Sequence, residues 1–310
     1  MSTKSPLVLI AGSRGYLGSN VFDFLSSRGF KVGRINRIMS GQFISDFSIE
    51  VNNQLVDKKS EFLKQEIVFV NAAMLFTRSH SVSDVLPQVS GNIGYPAVII
   101  DFLSRHSSRV KVINLTSYWK YWFDECHGSK NFYSATQKAF DEISHFFLQR
   151  NNVEVIELVC GDIFGRNDFR PKIIPTLVQA GLSRRLISVL EPASVIEPVF
   201  VDDISRAIFQ LIDSSSSLFL RRFQRFSIFG DEMLIVGDVV QKIESLLEVR
   251  IAKERVEMGS AQVNEKVRPW RYVGIEIANF NRANLDSALI VVIDSFKIKN
   301  LGDLQRRNKE

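Results

Sequence analysis

A glycine-spaced turn between an apolar run and a helical pattern constrains this chain more than any other feature. The run Leu7-Val8-Leu9-Ile10-Ala11 is continuous and apolar, as in a parallel strand buried on both faces. It leads into a G-x-x-G-x-x-G segment that opens a helical pattern. This context predicts a doubly wound α/β fold with a dinucleotide-binding loop. The loop residues are Gly12, Ser13, Arg14, Gly15, Tyr16, Leu17 and Gly18.

The three glycines have different expected roles. Gly12 permits the tight turn, Gly15 lets the backbone approach a pyrophosphate, and Gly18 lets the helix pack closely on the strand. The N-terminus of the helix supplies N–H groups and the positive end of a dipole for the phosphates. The alternative interpretation is a glycine-rich turn that binds no ligand.

The second strand, predicted over 30–37, bears on the choice of cofactor. The position that usually carries an Asp or Glu for the ribose hydroxyls holds Asn36, and Arg37 follows it. Arg14 adds a second guanidinium in the glycine loop, and guanidinium groups bind phosphates through charge-assisted hydrogen bonds. These residues favour NADPH, with NAD possible. The alternative is that the arginines stack on the adenine or face solvent.

Two further strand ends are expected to contact the cofactor. Asp46, near the end of a predicted third strand, could accept a hydrogen bond from the adenine amine. The fourth strand, 67–70, ends at Asn71, Ala72 and Ala73, whose small size would let a cofactor lie against the strand ends. An ordinary turn after the strand would also explain the last three residues.

Composition excludes several other classes of protein. With 45% apolar and 24% charged residues, the 310-residue chain can bury a large core, and no apolar stretch approaches the ~20 residues that span a bilayer. The two cysteines form no disulfide framework, so we expect a cytoplasmic location without a signal peptide. The four histidines show no metal-ligand spacing. The net charge of +5 is dispersed, so no nucleic-acid partner is expected.

Beyond the glycine loop, several segments within the first 210 residues make the chain resemble the extended short-chain dehydrogenase/reductase family. They resemble most closely the branch that makes 3,6-dideoxyhexoses such as abequose and tyvelose. The segments are Asn71-Ala72-Ala73, Asn92-Ile93-Gly94, Leu115-Thr116-Ser117-Tyr118-Trp119, the helix start from Tyr133, Gly161 to Lys172, and Val199 to Asp203.

The resemblance implies roles for individual residues. In the family a tyrosine phenol exchanges a proton with the reacting sugar oxygen, and a serine or threonine hydroxyl polarises the same oxygen. Tyr133 and Ser117 occupy these two places. The resemblance also assigns Asn92 to the cofactor and Trp119, Arg170 and Lys172 to a nucleotide-sugar substrate. Beyond the resembling segments, Arg271 next to Trp270 is a further candidate for the substrate, and the alternative is that such arginines face solvent.

The family lysine, one helical turn after the tyrosine, is missing. Position 137 is Gln137, and the lysine is Lys138, which lies roughly 140° from Tyr133 around an ideal helix, whereas residue 137 lies roughly 40° away. A glutamine could hydrogen-bond the cofactor ribose but has no charge to stabilise a phenolate. Three explanations remain open: catalysis proceeds with Gln137, an irregular helix lets Lys138 serve, or catalysis is lost.

The resemblance also implies a domain plan and an assembly. We expect a dinucleotide-binding core over 1–165 to which 195–230 return, and a substrate-binding cap from 166–194 and 231–310. A homodimer is expected through the helices 92–105 and 133–149. No family pattern covers the chain from Ile275, where the run Ala288 to Ile293 has the length of a strand.

The residues alone predict a dinucleotide-binding α/β enzyme, and the resemblance implies an NAD(P)H-dependent reductase or epimerase of a nucleotide-activated deoxy-sugar. Dehydratases of the family usually place an Asp-Glu pair after the catalytic Ser/Thr, whereas Tyr118-Trp119 stand there in this chain, so dehydration is less expected. The alternative is a dinucleotide-binding protein with weakened or lost catalysis, such as a sensor or a partner subunit.

Overall fold

A computed structural model describes most of the chain, namely residues 6–40, 43–77, 81–122, 128–190, 194–213, 222–251, 253–256, 274–277 and 280–307. Its strands are β1 (Leu7–Ala11), β2 (Val32–Ser40), β3 (Phe43–Val51), β4 (Gln54–Val56), β5 (Glu66–Asn71), β6 (Arg109–Ser117), β7 (Val153–Cys160), β8 (Asp162–Phe164), β9 (Ile187–Leu190), β10 (Val195–Ile196), β11 (Pro198–Phe200), β12 (Phe223–Ile228), β13 (Leu234–Ile235), β14 (Lys253–Val256) and β15 (Ile275–Glu276). Its helices are α1 (Tyr16–Ser27), α2 (Val82–Val89), α3 (Tyr95–His106), α4 (Phe132–Phe147), α5 (Ile173–Ser183), α6 (Val201–Asp213), α7 (Val236–Leu247) and α8 (Leu285–Arg307).

A large, mostly parallel sheet forms the centre of the first of two compact units. Its strand order is β15-β12-β7-β6-β5-β1-β2-β3-β4, and the seven strands from β15 to β2 are parallel. All five residues of β1 are fully buried, which explains its continuous apolar sequence. Consecutive crossovers run in opposite directions on either side of β1, so its carboxyl end is the switch point at which such sheets bind ligands. The predicted doubly wound fold is confirmed.

The edge beyond β2 differs from the expectation of parallel strands throughout. β3 runs antiparallel to β2 and forms a hairpin with β4. Asn52 and Asn53, between β3 and β4, both have positive φ angles of 53° and 60°, as a tight two-residue hairpin turn requires. Asp46 therefore lies within a long hairpin strand and not at the carboxyl end of a parallel one.

The first unit comprises residues 1–160, 205–228 and 265–278. The second comprises 161–204, 229–264 and 279–310. Residues 161–165, 195–204 and 229–230, expected in the core, thus group with the second unit, whereas 265–278, expected in the cap, group with the first. Its apolar core combines α5, α7 and α8. The run Ala288 to Ile293 belongs to helix α8, because Leu289, Val292 and Phe296 recur at helical spacing and are buried. No helix in the described ranges is long and apolar enough to cross a membrane.

Candidate active site

The glycine loop is built by close backbone contacts at two of its three glycines. Gly12 has a φ of +77°, and a Cβ atom there would lie 2.6 Å from the Ala72 carbonyl oxygen. A Cβ on Gly18 would lie 2.6 Å from the carbonyl carbon of Gly12, so helix α1 rests directly on the loop. A Cβ on Gly15 would meet only the Gly12 oxygen, at 3.2 Å. Packing thus demands glycine at 12 and 18, whereas at 15 the backbone is left open to a ligand.

The groups around this loop fit a pyrophosphate. Helix α1 begins at Tyr16 after Gly15, without a side-chain capping bond or an acidic residue in its first turn. Its first N–H groups can therefore bind an anion. The Ser13 hydroxyl is buried and has no hydrogen-bond partner among the described residues. A bound phosphate would satisfy both groups.

Midway along β2, charged side chains from the glycine loop, β2 and β3 come together. The Glu50 carboxylate, on β3, accepts a hydrogen bond of 3.2 Å from the Asn36 amide and lies 3.7 Å from Arg34 and 3.9 Å from Arg14. Arg37 is exposed on the other face of the strand, since side chains alternate and its charge acts on Tyr95. The two arginines predicted around the ribose are therefore not on one face.

Asp46 is engaged by its own hairpin. Its carboxylate accepts hydrogen bonds from the Lys58 ammonium at 2.5 Å and from the Phe47 N–H at 2.8 Å. The lysine bond is the main reason why the pKa of Asp46 lies below its usual value. The predicted adenine contact of Asp46 would have to compete with this ion pair.

The ends of β5 and β6 form the floor beside the loop. The Asn71 amide donates to the Asn114 side-chain oxygen at 2.8 Å, and both residues are buried. The Ala72 N–H donates to the Ala11 carbonyl at 3.1 Å, which holds the chain against the end of β1. Ala72 and Ala73 contact the glycine loop as expected for small residues there.

Asn92 supports the loop after β5 from inside the protein. Its side-chain oxygen accepts from the Leu75 N–H at 2.7 Å, and its amide donates to the Leu75 carbonyl at 3.1 Å and to the Thr136 hydroxyl at 2.9 Å. The side chain is fully buried. Asn92 therefore positions the loop, whereas the resemblance implied a direct contact with the cofactor.

Ser117, Tyr133 and Gln137 come together where β6 ends. The Gln137 side-chain oxygen accepts from the Ser117 N–H at 3.1 Å and faces the Thr116 hydroxyl at 3.4 Å. A backbone N–H can only donate, so the oxygen must point at β6 and the amide nitrogen at the tyrosine. That nitrogen donates to the Tyr133 phenol oxygen at 3.0 Å.

Helix α4 is regular, which decides which residue lies against the tyrosine. It runs as an α-helix from Phe132 to Phe147, with the Asn131 side chain capping its start through the Ser134 N–H. Residue 137 therefore faces the Tyr133 phenol, and Lys138 is placed one residue further around the helix. Gln137 is only 1% exposed, so it does not reach a cofactor ribose.

Aromatic rings surround the phenol. The Phe76 ring meets the Tyr133 ring edge-on at 5.2 Å and the Trp119 ring at 6.1 Å. The Lys130 ammonium lies 4.4 Å from the Trp119 ring. The Trp119 indole N–H is buried without a hydrogen-bond partner among the described residues. A buried donor of this kind can hydrogen-bond a ligand. No sequence pattern had pointed to Phe76 or Lys130.

A buried charge cluster lies behind these residues. Lys120 is fully buried in the short 3₁₀ turn after Ser117, and its ammonium contacts Glu157 of β7 and, at 2.6 Å, Asp141 of α4. Arg225 pairs with Glu157 at 2.6 Å. Burial raises the pKa of Asp141 to about 6, while the two cations hold the pKa of Glu157 below its usual value.

The residues expected to bind substrate outside this unit have mixed placements. Arg170 forms a two-pronged ion pair with the buried Asp168 carboxylate at 2.7 and 2.8 Å and donates to the Ile163 carbonyl. This pairing makes it a structural clamp of its loop. Lys172 precedes helix α5. Arg271 lies outside the described residues. Within the described ranges, no cluster of three or more His, Cys, Asp or Glu residues could hold a metal ion.

Comparison with known proteins identifies the family of this chain. The model of the NAD dependent epimerase/dehydratase family matches residues 8–219, which is more than half of the chain. The chain belongs to this family. The predicted resemblance is thereby confirmed, and the match spans every element that positions Gly12, Ser117 and Tyr133. The match stops before α7 and α8.

Two curated relatives of this epimerase/dehydratase family member are CDP-abequose synthases. The enzyme of Yersinia pseudotuberculosis is 23% identical over 219 residues, which cover 67% of this chain and 74% of the relative. That of Salmonella typhimurium is 19% identical over 222 residues, 69% of this chain and 72% of the relative.

Solved structures of sugar-nucleotide enzymes share the fold. MoeE5 in complex with UDP-glucose and NAD has a TM-score of 0.71 at 18% identity, covering 94% of this chain and 99% of the other. The Thermus thermophilus UDP-glucose 4-epimerase in complex with NAD has a TM-score of 0.67 at 13% identity, with the same coverage. At these identities the likeness concerns the fold.

Proposed function

We propose that this family member is an NAD(P)H-dependent reductase of a nucleotide-activated 4-keto deoxy-sugar. The observation that carries the proposal is the hydrogen bond from the Gln137 amide to the Tyr133 phenol oxygen. Because the oxygen accepts this bond, the phenol's own hydrogen does not point at Gln137. A neutral amide stabilises the phenolate less than a lysine ammonium in the same place would. The tyrosine is thus kept as a proton donor, as reduction of a ketone requires.

Ser117 has a matching arrangement. The Ser117 hydroxyl oxygen accepts from the backbone N–H of Trp119 at 3.2 Å, so the hydroxyl hydrogen can be donated to another acceptor. Two hydroxyl donors at the end of β6 would polarise one carbonyl oxygen of the sugar. The Trp119 indole N–H offers a third donor for the substrate.

The dinucleotide would bind along the glycine loop, with its phosphates at the start of α1. When bound, the reduced nicotinamide supplies the hydride that adds to the carbonyl carbon. Tyr133 transfers its phenol proton to the carbonyl oxygen, which becomes a hydroxyl. The phenolate left on Tyr133 then takes a proton from solvent before the next turnover.

A cytidine diphosphate sugar is the proposed substrate, supported by the names of the two curated relatives. The test is consumption of NADH or NADPH with a panel of CDP-, dTDP- and UDP-linked 4-keto deoxy-sugars. We expect turnover with the CDP-linked substrate, and Tyr133→Phe should lower kcat by roughly 10²–10⁴-fold while leaving cofactor affinity unchanged. Turnover by Tyr133→Phe at the wild-type rate would contradict the proposed proton donor.

The competing function is a dinucleotide-binding protein without catalysis, favoured by the absence of a cation at position 137. The paired exchange Gln137→Lys with Lys138→Gln separates the two. A weakened enzyme should turn over faster after the exchange, because the ammonium supports the phenolate formed in each cycle. Cofactor binding without turnover in either protein would favour the non-catalytic function.

Homodimerisation and a cytosolic location are further proposals that rest on the sequence.

A further inference from the structure

The corner between the glycine loop and β2 contains Arg14, Asn36 and Glu50. Its carboxylate, that of Glu50, does not come from β2. Ala11 of β1 pairs with Ile35 of β2, so Asn36 lies beside Gly12 at the start of the loop. This is the place at which dinucleotide-binding sheets carry an acid for the adenosine ribose. Glu50 reaches the same place from the antiparallel strand β3, where it pairs in register with Arg34.

The hydrogen bond between Asn36 and Glu50 fixes the direction of both side chains. The Asn36 amide nitrogen donates to the Glu50 carboxylate at 3.2 Å, so the Asn36 oxygen points away from Glu50. Asn36 thus presents an acceptor with a carboxylate directly behind it. Glu50 is 19% exposed, which leaves part of the carboxylate accessible to a ligand.

We propose that Glu50 is the specificity-determining residue for the adenosine ribose and selects NADH over NADPH; this assignment rests on the proposed dinucleotide function. A ribose 2′-hydroxyl can donate to the Asn36 oxygen or to the carboxylate. A 2′-phosphate carries a negative charge into the same corner and is repelled by Glu50. The assignment reverses the NADPH preference that Arg14 and Arg37 predict from the sequence.

The two cations nearest this corner both lie beside the Glu50 carboxylate. Arg34 stacks on the Phe22 ring, with its guanidinium carbon 3.7 Å from the ring centre, and lies 3.7 Å from Glu50. Arg14 lies 3.9 Å from the same carboxylate. The carboxylate offsets part of the positive charge of Arg14. Arg37 is on the opposite face of β2.

The test measures dissociation constants of NADH and NADPH by energy transfer from tryptophan to the nicotinamide. We expect wild-type protein to bind NADH about tenfold or more tightly than NADPH. Glu50→Gln should reduce or invert this ratio, and Glu50→Asp should keep it. Adding Asn36→Asp to Glu50→Gln should restore the preference for NADH, because it returns a carboxylate to the same corner. Glu61→Gln removes an exposed carboxylate paired with Lys64 and is the matched control.

Each outcome separates this assignment from the proposed function. A wild-type preference for NADPH, or an NADH-to-NADPH ratio unchanged in Glu50→Gln, overturns the role of Glu50 and leaves the proposed reductase standing. If the wild-type protein binds neither cofactor at high micromolar concentration, both proposals fall. Thermal unfolding of each variant shows whether the hairpin is intact. Glu50→Thr, which also removes the carboxylate and suits a strand, takes the place of Glu50→Gln should that variant not fold.

Discussion

Glycine at positions 15 and 18 of the loop meets two different demands. At Gly18 any side chain would collide with the Gly12 backbone, whereas at Gly15 a Cβ has a single close neighbour at 3.2 Å. Glycine at position 18 is therefore required by the protein's own packing. Glycine at position 15 is required only if a ligand lies against the backbone.

Alanine substitutions separate these demands. Gly18→Ala should lower the free energy of unfolding by about 1–3 kcal/mol, as overpacking does, and should weaken cofactor binding as α1 shifts. Gly15→Ala should leave stability within about 1 kcal/mol of wild type and still lower the affinity for the dinucleotide at least about tenfold. Denaturant unfolding and fluorescence titration give the two numbers. A Gly15→Ala protein that binds cofactor normally would argue against a pyrophosphate at this loop.

At the same scale, short sequence motifs pointed to the residues of the Ser117–Tyr133–Gln137 cluster but not to the contact between Asn36 and Glu50. The glycine loop, Ser117 and the Tyr133–Gln137 spacing are each short motifs. The structure brings Ser117, Tyr133 and Gln137 together. Glu50 escaped prediction because it reaches the corner through an antiparallel hairpin, 14 residues along the chain from Asn36. No periodicity in the sequence shows which strand pairs with β2, or in which direction.

At the scale of elements, one buried lysine ties the two halves of the catalytic site together. Lys120 follows Ser117 by three residues, and Asp141 lies two helical turns after Tyr133. Their ion pair at 2.6 Å, together with Glu157 on β7, holds helix α4 against the end of β6. The separations of 21 and 37 residues explain why no local motif announced the cluster.

Removing the lysine should therefore destabilise the fold. Lys120→Met leaves the Asp141 and Glu157 carboxylates buried with only Arg225 to balance them, and we expect a loss of about 3–5 kcal/mol in the free energy of unfolding. Lys64→Met is the control, since Lys64 is 65% exposed in its pair with Glu61 and should change stability by less than about 1 kcal/mol. Equal losses in the two variants, measured by denaturant unfolding, would mean that the cluster does not stabilise α4.

At the scale of the whole molecule, the helices expected to form a dimer expose apolar side chains. Val98 on α3 is 54% exposed and Phe146 on α4 is 57% exposed. Both lie within the predicted dimer helices 92–105 and 133–149. A dimer formed through these helices would cover both side chains.

A charge on this surface should break the assembly. We expect the wild-type protein to be a dimer by size-exclusion chromatography with light scattering, and Phe146→Glu to shift it toward monomer at the same concentration. Leu55→Glu, which alters a 76% exposed residue on β4, should remain dimeric. A monomeric wild-type protein, or a dimer indifferent to the change at Phe146, would exclude these helices as the interface.

The amide at position 137 also determines how the site handles protons over many turnovers. A lysine in that place would hold an ionisable hydrogen next to the tyrosine, but the Gln137 amide has none to give at neutral pH. Both of its polar ends are occupied by Ser117 and Tyr133, and the side chain is sealed from water. Gln137 therefore cannot relay a proton to Tyr133. In the proposed mechanism the phenol must regain its proton from a group other than residue 137, namely a hydroxyl of a bound ligand, Ser117 or water that reaches the phenol directly.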